Sequence, residues 1–335
     1  MNKLLPLLAF SVLLLAPVGA QQALAAPGDL YGGESRNSPG NPGGLDIINT
    51  ADGTEFFVGN DIAVDALSGL AYDSAGRLFG SVPVSGGSTS FLVELDPTTG
   101  LVIAGPFPIQ DVAGADRKIS DLTVDPDDDS LWGMTSSGDF GGGGDLFSIG
   151  KDTGVATSEG TLPVSSDGGG LAFSRDGLVL YATDVAQGFF FRINSNDLTL
   201  IDSFLPQTPA DVIIFDGLGV RCDGDVFGSR SSAIIADGSV YPIDPVGQTI
   251  GPVIPTMNGY GDLDFSPSSI CGDPVGGTFL PIDSTALLLA VASIPAAWLS
   301  SLALVALGIA AYVFTRNPNN MKNIKVILRD YLDRF

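Results

Sequence analysis

A five-residue phrase built around a leucine recurs along this chain, and its spacing restricts the fold more than any other feature. It reads Gly69-Leu70-Ala71-Tyr72-Asp73, Asp121-Leu122-Thr123-Val124-Asp125, Gly170-Leu171-Ala172-Phe173-Ser174, Gly217-Leu218-Gly219-Val220-Arg221 and Asp262-Leu263-Asp264-Phe265-Ser266. The leucines lie 52, 49, 47 and 45 residues apart. The best-preserved copy continues over residues 170–184 as a strand, a turn at Asp176-Gly177 and a second strand ending at Thr183-Asp184. An Asp-Gly pair between apolar runs suits a tight turn with positive φ, so the phrase opens a hairpin.

Further strands follow each copy. Second strands read at Leu78-Phe79, Leu131-Trp132, Leu180-Tyr181 and Val226-Phe227, and third strands at residues 91–96, 145–149, 189–193 and 239–244. A fourth completes the unit, as over residues 101–104 or 199–204. A period near 48 residues with four short strands per unit is the signature of a β-propeller. An open solenoid is the alternative, but the two ends of the array argue for closure. The N-terminal piece supplies three strands, at residues 29–32, 45–48 and 55–58, and the C-terminal copy supplies only the missing innermost one. Three plus one completes a blade and hides sheet edges that would otherwise invite aggregation. The expected fold is therefore all-β, a five-bladed β-propeller of four-stranded blades over residues 29–271. A sixth blade would need residues the chain does not have.

Residues 170–184 look like the blade phrase of the YVTN and NHL-like superfamily of extracytoplasmic propellers. Leu95-Asp96-Pro97-Thr98-Thr99-Gly100 resembles the turn between the third and fourth strands of such blades. The resemblance spans residues 29–266 and implies a propeller outside the cytoplasm. It says little about activity, because the motif is structural and shared by many functions.

Charge and residue usage remove whole classes of function. The net charge of −23 is concentrated in the middle, where residues 26–284 carry 9 Lys+Arg against 36 Asp+Glu. Such a surface repels phosphates, so no nucleic-acid partner is expected. The chain has no histidine, which excludes Ser-His-Asp and Cys-His catalysis and every His-ligated metal site. Two cysteines exclude a thiolate zinc cage. Cys222 and Cys271 each follow an innermost strand of neighbouring blades, so a disulfide between them is expected, with two free thiols as the alternative.

The two ends read as membrane traffic. Residues 1–25 have one basic residue, Lys3, an apolar run over 4–18 and small residues at Val18-Gly19-Ala20 and Ala23-Leu24-Ala25, the pattern of a secretory signal peptide. After a short linker at residues 272–284, residues 285–314 carry no charge and are expected to form a transmembrane helix. Its core, residues 296–314, would be about 28 Å long as a helix, with Pro295 at its start and Trp298 and Tyr312 near its ends. Arg316, Lys322, Lys325, Arg329 and Arg334 follow directly, which places the basic tail, residues 315–335, in the cytoplasm. Residues 281–290, with Trp298 beyond, look like the C-terminal anchor of certain archaeal and bacterial surface proteins. The expectation is a single-pass cell-membrane protein with its propeller outside.

Carboxylates are the remaining acid/base groups. Asp121 and Asp262 begin innermost strands and would point toward the central channel, where some five-bladed glycosidases place their catalytic acids. The same residues could instead cap backbone amides. Asp125, Asp127 and Asp129 invite a calcium reading, against an ordinary solvated turn that lacks the glycine and distal glutamate of a calcium loop. No other cofactor is expected. Glu34, Glu55, Glu94 and Glu159 read as scattered over outer strands and loops. The leading expectation is a surface-anchored binding or envelope scaffold module taking an extracellular protein or glycan. The competing one is a carbohydrate-active or lactone-hydrolysing enzyme. The ligand face is expected at the loops over residues 59–68, 105–120, 163–169, 206–216 and 255–261, together with the Gly/Ser-rich loops near 83–90 and 136–144.

Overall fold

A computed structural model describes residues 28–36, 38–61, 66–85, 87–135, 144–163, 168–230 and 238–267. β1 (Leu30–Glu34), β2 (Leu45–Ile48) and β3 (Glu55–Gly59) open the array. β4 (Gly69–Tyr72), β5 (Leu78–Pro83), β6 (Ser90–Leu95) and β7 (Val102–Pro108) make the second blade. The two-residue β8 (Gln110–Asp111) precedes the third blade, β9 (Ile119–Val124), β10 (Leu131–Thr135), β11 (Asp145–Ile149) and β12 (Val155–Thr161). The fourth is β13 (Leu171–Phe173), β14 (Val179–Thr183), β15 (Phe190–Asn194) and β16 (Leu200–Phe204). The fifth is β17 (Gly217–Val220), β18 (Val226–Arg230), β19 (Gly238–Asp244), β20 (Thr249–Ile250) and β21 (Ile254–Thr256). β22 (Tyr260–Phe265) then pairs antiparallel with β1 and becomes the innermost strand of the first blade.

Five sheets thus form, and the composite one has the order β22-β1-β2-β3. Two blades depart from four strands. β8 adds parallel to β12 in the third blade. In the fifth, the outer strand is broken into β20 and β21, both paired with β19, because Gly251-Pro252 interrupts it and proline has no amide for the ladder.

The apolar side chains explain why the blades stack into a closed ring. The inner strands of each sheet are largely buried on both faces, while the outer strands β3, β7, β12 and β16 are mostly half-buried or exposed. Each of five core clusters sits in one seam between blades. Tyr31 and Leu45 of the first blade pack with Leu70 and Leu78 of the second. Phe79 and Leu92 continue to Leu122 and Leu131, then Leu146 to Leu180, and Phe190 to Leu218 and Val226. The fifth cluster joins Phe227 and Val240 to Leu30, Ile48 and Leu263, so last and first blades share a core as the others do. Around the axis β22, β4, β9, β13 and β17 neighbour one another in a complete circuit. The expected five-bladed propeller closed by terminal strands is what the chain forms.

The membrane-span expectation falls on residues 285–314 and the signal peptide on residues 1–25, both outside the described residues. Among the described residues no helix is long and apolar enough to cross a membrane.

Candidate functional site

The residue before each phrase leucine decides what happens on the axis. These positions are Gly69, Asp121, Gly170, Gly217 and Asp262, one per inner strand. Strand pairing turns the amide of the following leucine away from its own blade and toward the channel, since an inner strand has a partner on one side only. Five leucine amides therefore converge on the axis with no ladder partner. Two carboxyls take all of them. Asp262 accepts from Leu70 at 2.5 Å, from Leu263 at 2.7 Å and from Leu218 at 3.3 Å. Asp121 accepts from Leu122 at 2.7 Å and from Leu171.

The three glycines make room for this. A Cβ on Gly69 would lie 2.7 Å from the Leu122 nitrogen, and one on Gly217 would lie 2.3 Å from the Asp262 Cα. Asp121 and Asp262 are both fully buried and hydrogen-bond each other across the axis. Two carboxyls in contact cannot both ionise. Burial first, and for Asp121 the neighbouring Asp262 next, hold both well above the ordinary carboxylate range, so the pair keeps a proton.

Past this layer the channel opens into a cavity of about 280 Å³. All five inner strands line it, through residues such as Leu70, Leu122, Phe173, Leu218 and Phe265. Its mouth is formed by the turns after the inner strands. This is the face opposite the loops between blades on which the sequence places the ligand, since those loops precede the inner strands. Asp264 lies in the wall, accepting from the Tyr72 amide at 2.5 Å and the Phe265 amide at 2.8 Å, and burial pushes its carboxyl up to about 7.

Most charge around the mouth is paired. Lys151 bridges Asp73 at 3.1 Å and Asp129 at 2.7 Å, and Arg77 holds Asp73 at 2.9 Å. Burial acts to raise the Asp73 carboxyl, but the Arg77 amide, Lys151 and the Arg77 guanidinium outweigh it and hold it below the ordinary range. Arg221 is held by Asp223 and Asp225. Cys222 lines the cavity, while Cys271 lies outside the described residues.

The proposed calcium carboxylates go to separate partners. Asp125 accepts from the Asp127 amide at 2.8 Å within the turn, and Asp129 takes the Ser74 amide at 2.7 Å besides Lys151. Among the described residues no group of three His, Cys, Asp or Glu side chains has the geometry to hold a metal ion.

A second acidic cluster was not legible in the sequence. Glu34 and Asp46, both buried, meet Glu55 and Tyr260 in the seam between the fifth and first blades. The Tyr260 hydroxyl lies 2.5 Å from Glu55 and 3.3 Å from Asp46. Burial, then Glu34 and Glu55, pushes Asp46 up to about 8. The signal was indirect. Gly32 pairs with Asp46 and lets the Tyr260 ring cross over it, a Cβ there coming within 2.4 Å of the ring.

No protein-family model matches the chain, and no curated protein matches it. Among solved structures it is similar to a gluconolactonase from Xanthomonas campestris, with 17% identity and a TM-score of 0.42 over 70% of this chain and 79% of that one. It is similar to a protein of unknown function from Bacteroides caccae, with 11% identity and a TM-score of 0.47 over 72% of this chain and 100% of that one. It also resembles hydrazine synthase from Kuenenia stuttgartiensis, with 14% identity and a TM-score of 0.38 over 56% of this chain, which spans only 49% of that one.

Proposed function

We propose that this chain is a membrane-anchored, extracytoplasmic β-propeller that binds a small ligand in the cavity on its turn face. The observation that supports this best is the closed inner layer. Asp121 and Asp262 are committed to five backbone amides, so the deepest acids hold the ring and form a floor beneath the cavity. In this reading residues 1–25 are a signal peptide, residues 285–314 a transmembrane helix and residues 315–335 a cytoplasmic tail. A Cys222–Cys271 disulfide then fastens the closing strand to the rim of the cavity.

Asp264 favours a second reading. A wall carboxyl with a pKa of about 7 suits a general acid or base, and would serve a lactone- or glycoside-hydrolysing enzyme. One experiment separates the two. Full-length protein is screened against glycans and lactones for binding and turnover, with and without chelator. Saturable binding without turnover is expected. Turnover that Asp264→Asn abolishes in a folded protein would replace the binding module with a hydrolase.

A further inference from the structure

The second layer of the channel repeats the first with part of it unfilled. One turn of the strand alternation beyond the leucines, the amides of Tyr72, Val124, Phe173, Val220 and Phe265 also face the axis. Each sits next to a hydrogen-bonded position in the pairing of its inner strand: Asp125 donates to Ser130 beside the Val124↔Leu131 pair, Arg221 to Asp225 beside Val220↔Val226, and Ser266 to Asp29 beside Phe265↔Leu30. Asp264 caps Tyr72 and Phe265, and the Thr123 hydroxyl accepts from Phe173 at 3.2 Å. Among the described residues no side chain accepts from Val124 or Val220, and both residues line the cavity.

Arg175 lines the same cavity and is exposed. Every other described lysine or arginine has an interaction partner; Arg175 has none among the described residues. In a domain so rich in carboxylates, an unpaired guanidinium at the cavity is the exception.

We infer that the cavity is a binding site for a small carboxylate, seated on the Val124 and Val220 amides with its charge beside Arg175. The chain already binds carboxyls this way one layer down. There Asp262 takes amides from the blades on both sides of its own, β4 and β17. Val124 and Val220 flank the fourth blade in the same relation. The apolar wall of Leu122, Phe173, Leu218 and Phe265 suits a hydrocarbon body. The volume is near the lower end of the roughly 300–1,000 Å³ typical of ligand pockets, which restricts the ligand to a small molecule.

Asp264 adds a pH dependence. Of the titratable and charged groups around it, Asp73, Asp129 and Arg221 are in ion pairs, and Asp262 shares its proton with Asp121. Burial first, and Asp264 among its neighbours, push the Tyr72 hydroxyl up so that it stays neutral, and Arg175 keeps its charge across this range. Asp264 itself gains charge as pH rises through about 7, which repels a bound anion.

The inference rests on the binding reading above and adds the chemistry of the ligand. Calorimetric titration of the full-length protein with hexanoate, hexanamide and hexylamine tests it. Hexanoate is expected to bind at least about tenfold more tightly than either neutral or cationic analogue, and Arg175→Gln to weaken it about tenfold. Hexanoate binding should strengthen several-fold from about pH 8 to about pH 6, and Asp264→Asn should flatten that response. Gly219→Asp places a carboxyl one residue before Val220, as Asp264 stands before Phe265, and is expected to occupy the amide and abolish binding. An added Cβ at Gly219 meets Leu263 at 3.3 Å, so Gly219→Ala supplies the steric control and should keep affinity within about threefold. Hexylamine binding as tightly as hexanoate, hexanoate failing to bind, or affinity indifferent to both Arg175→Gln and Gly219→Asp overturns the carboxylate site while leaving a binding propeller open. Turnover of a lactone with hexanoate as competitor would instead retain the carboxylate site and defeat the binding-module reading.

Discussion

Asp262→Ala is expected to lower the unfolding free energy of the propeller by on the order of 4 kcal/mol, read by guanidinium denaturation in mild acid. The variant strips the acceptor from the amides of Leu70, Leu218 and Leu263, which belong to three different blades. A buried amide left without a partner costs roughly 1–3 kcal/mol, and water entering the gap recovers part of it. Asp121→Ala exposes only two amides, those of Leu122 and Leu171, and should cost less. The two substitutions should not add, because each carboxyl is also the other's hydrogen-bond partner. The sign of the pH effect follows from the retained proton. A carboxyl whose folded pKa lies above its unfolded value stabilises the fold at low pH, and that contribution fades as pH rises through the folded value. The advantage of the wild type over Asp262→Ala should therefore shrink toward alkaline pH. A constant gap would mean the pair does not hold a proton.

Gly217→Ala is the second large effect expected, a loss of about 3 kcal/mol from adding one methyl group. That Cβ would sit 2.3 Å from the Asp262 Cα and 2.8 Å from its Oδ1. The obstacle is backbone of the closing strand, so relief means moving β22 away from β17 and lengthening the Leu218 hydrogen bond. Gly219→Ala, two residues along the same strand, meets Leu263 only at 3.3 Å and should be much milder. Melting temperatures of the two variants check the contrast. Equal losses would show that strand propensity, not the crowded axis, decides the cost.

The blade repeat was readable because each phrase must bury the same apolar pattern between the same kinds of neighbour. Leu70, Leu122, Leu171, Leu218 and Leu263 all lie on inner strands, and the split first blade closes as the terminal fragments suggest. The strand break at Gly251-Pro252 and the added β8 depend on local pairing that periodicity does not register. The site was less legible. Asp121 and Asp262 stand out as axial acids, but their partners are backbone amides of other blades, which leave no mark in a sequence. Glu34 reads as an outlying residue until a register shift between Gly33 and Glu34 carries it into the seam beside Asp46. Arg175 is unremarkable as a letter. It matters because the other described cations are engaged, a property of the folded molecule alone.

Two carboxyls satisfy five converging amides and so lock the ring. Amide hydrogen exchange of Leu70, Leu122, Leu171, Leu218 and Leu263 in the full-length protein tests that lock most directly. All five should exchange only through global opening, and in Asp262→Ala the amides of Leu70, Leu218 and Leu263 should lose protection well beyond the global change while Leu122 and Leu171 follow it. Rapid exchange of the five in the wild type, or equal loss at all of them in the variant, would mean that the two carboxyls do not hold the ring closed.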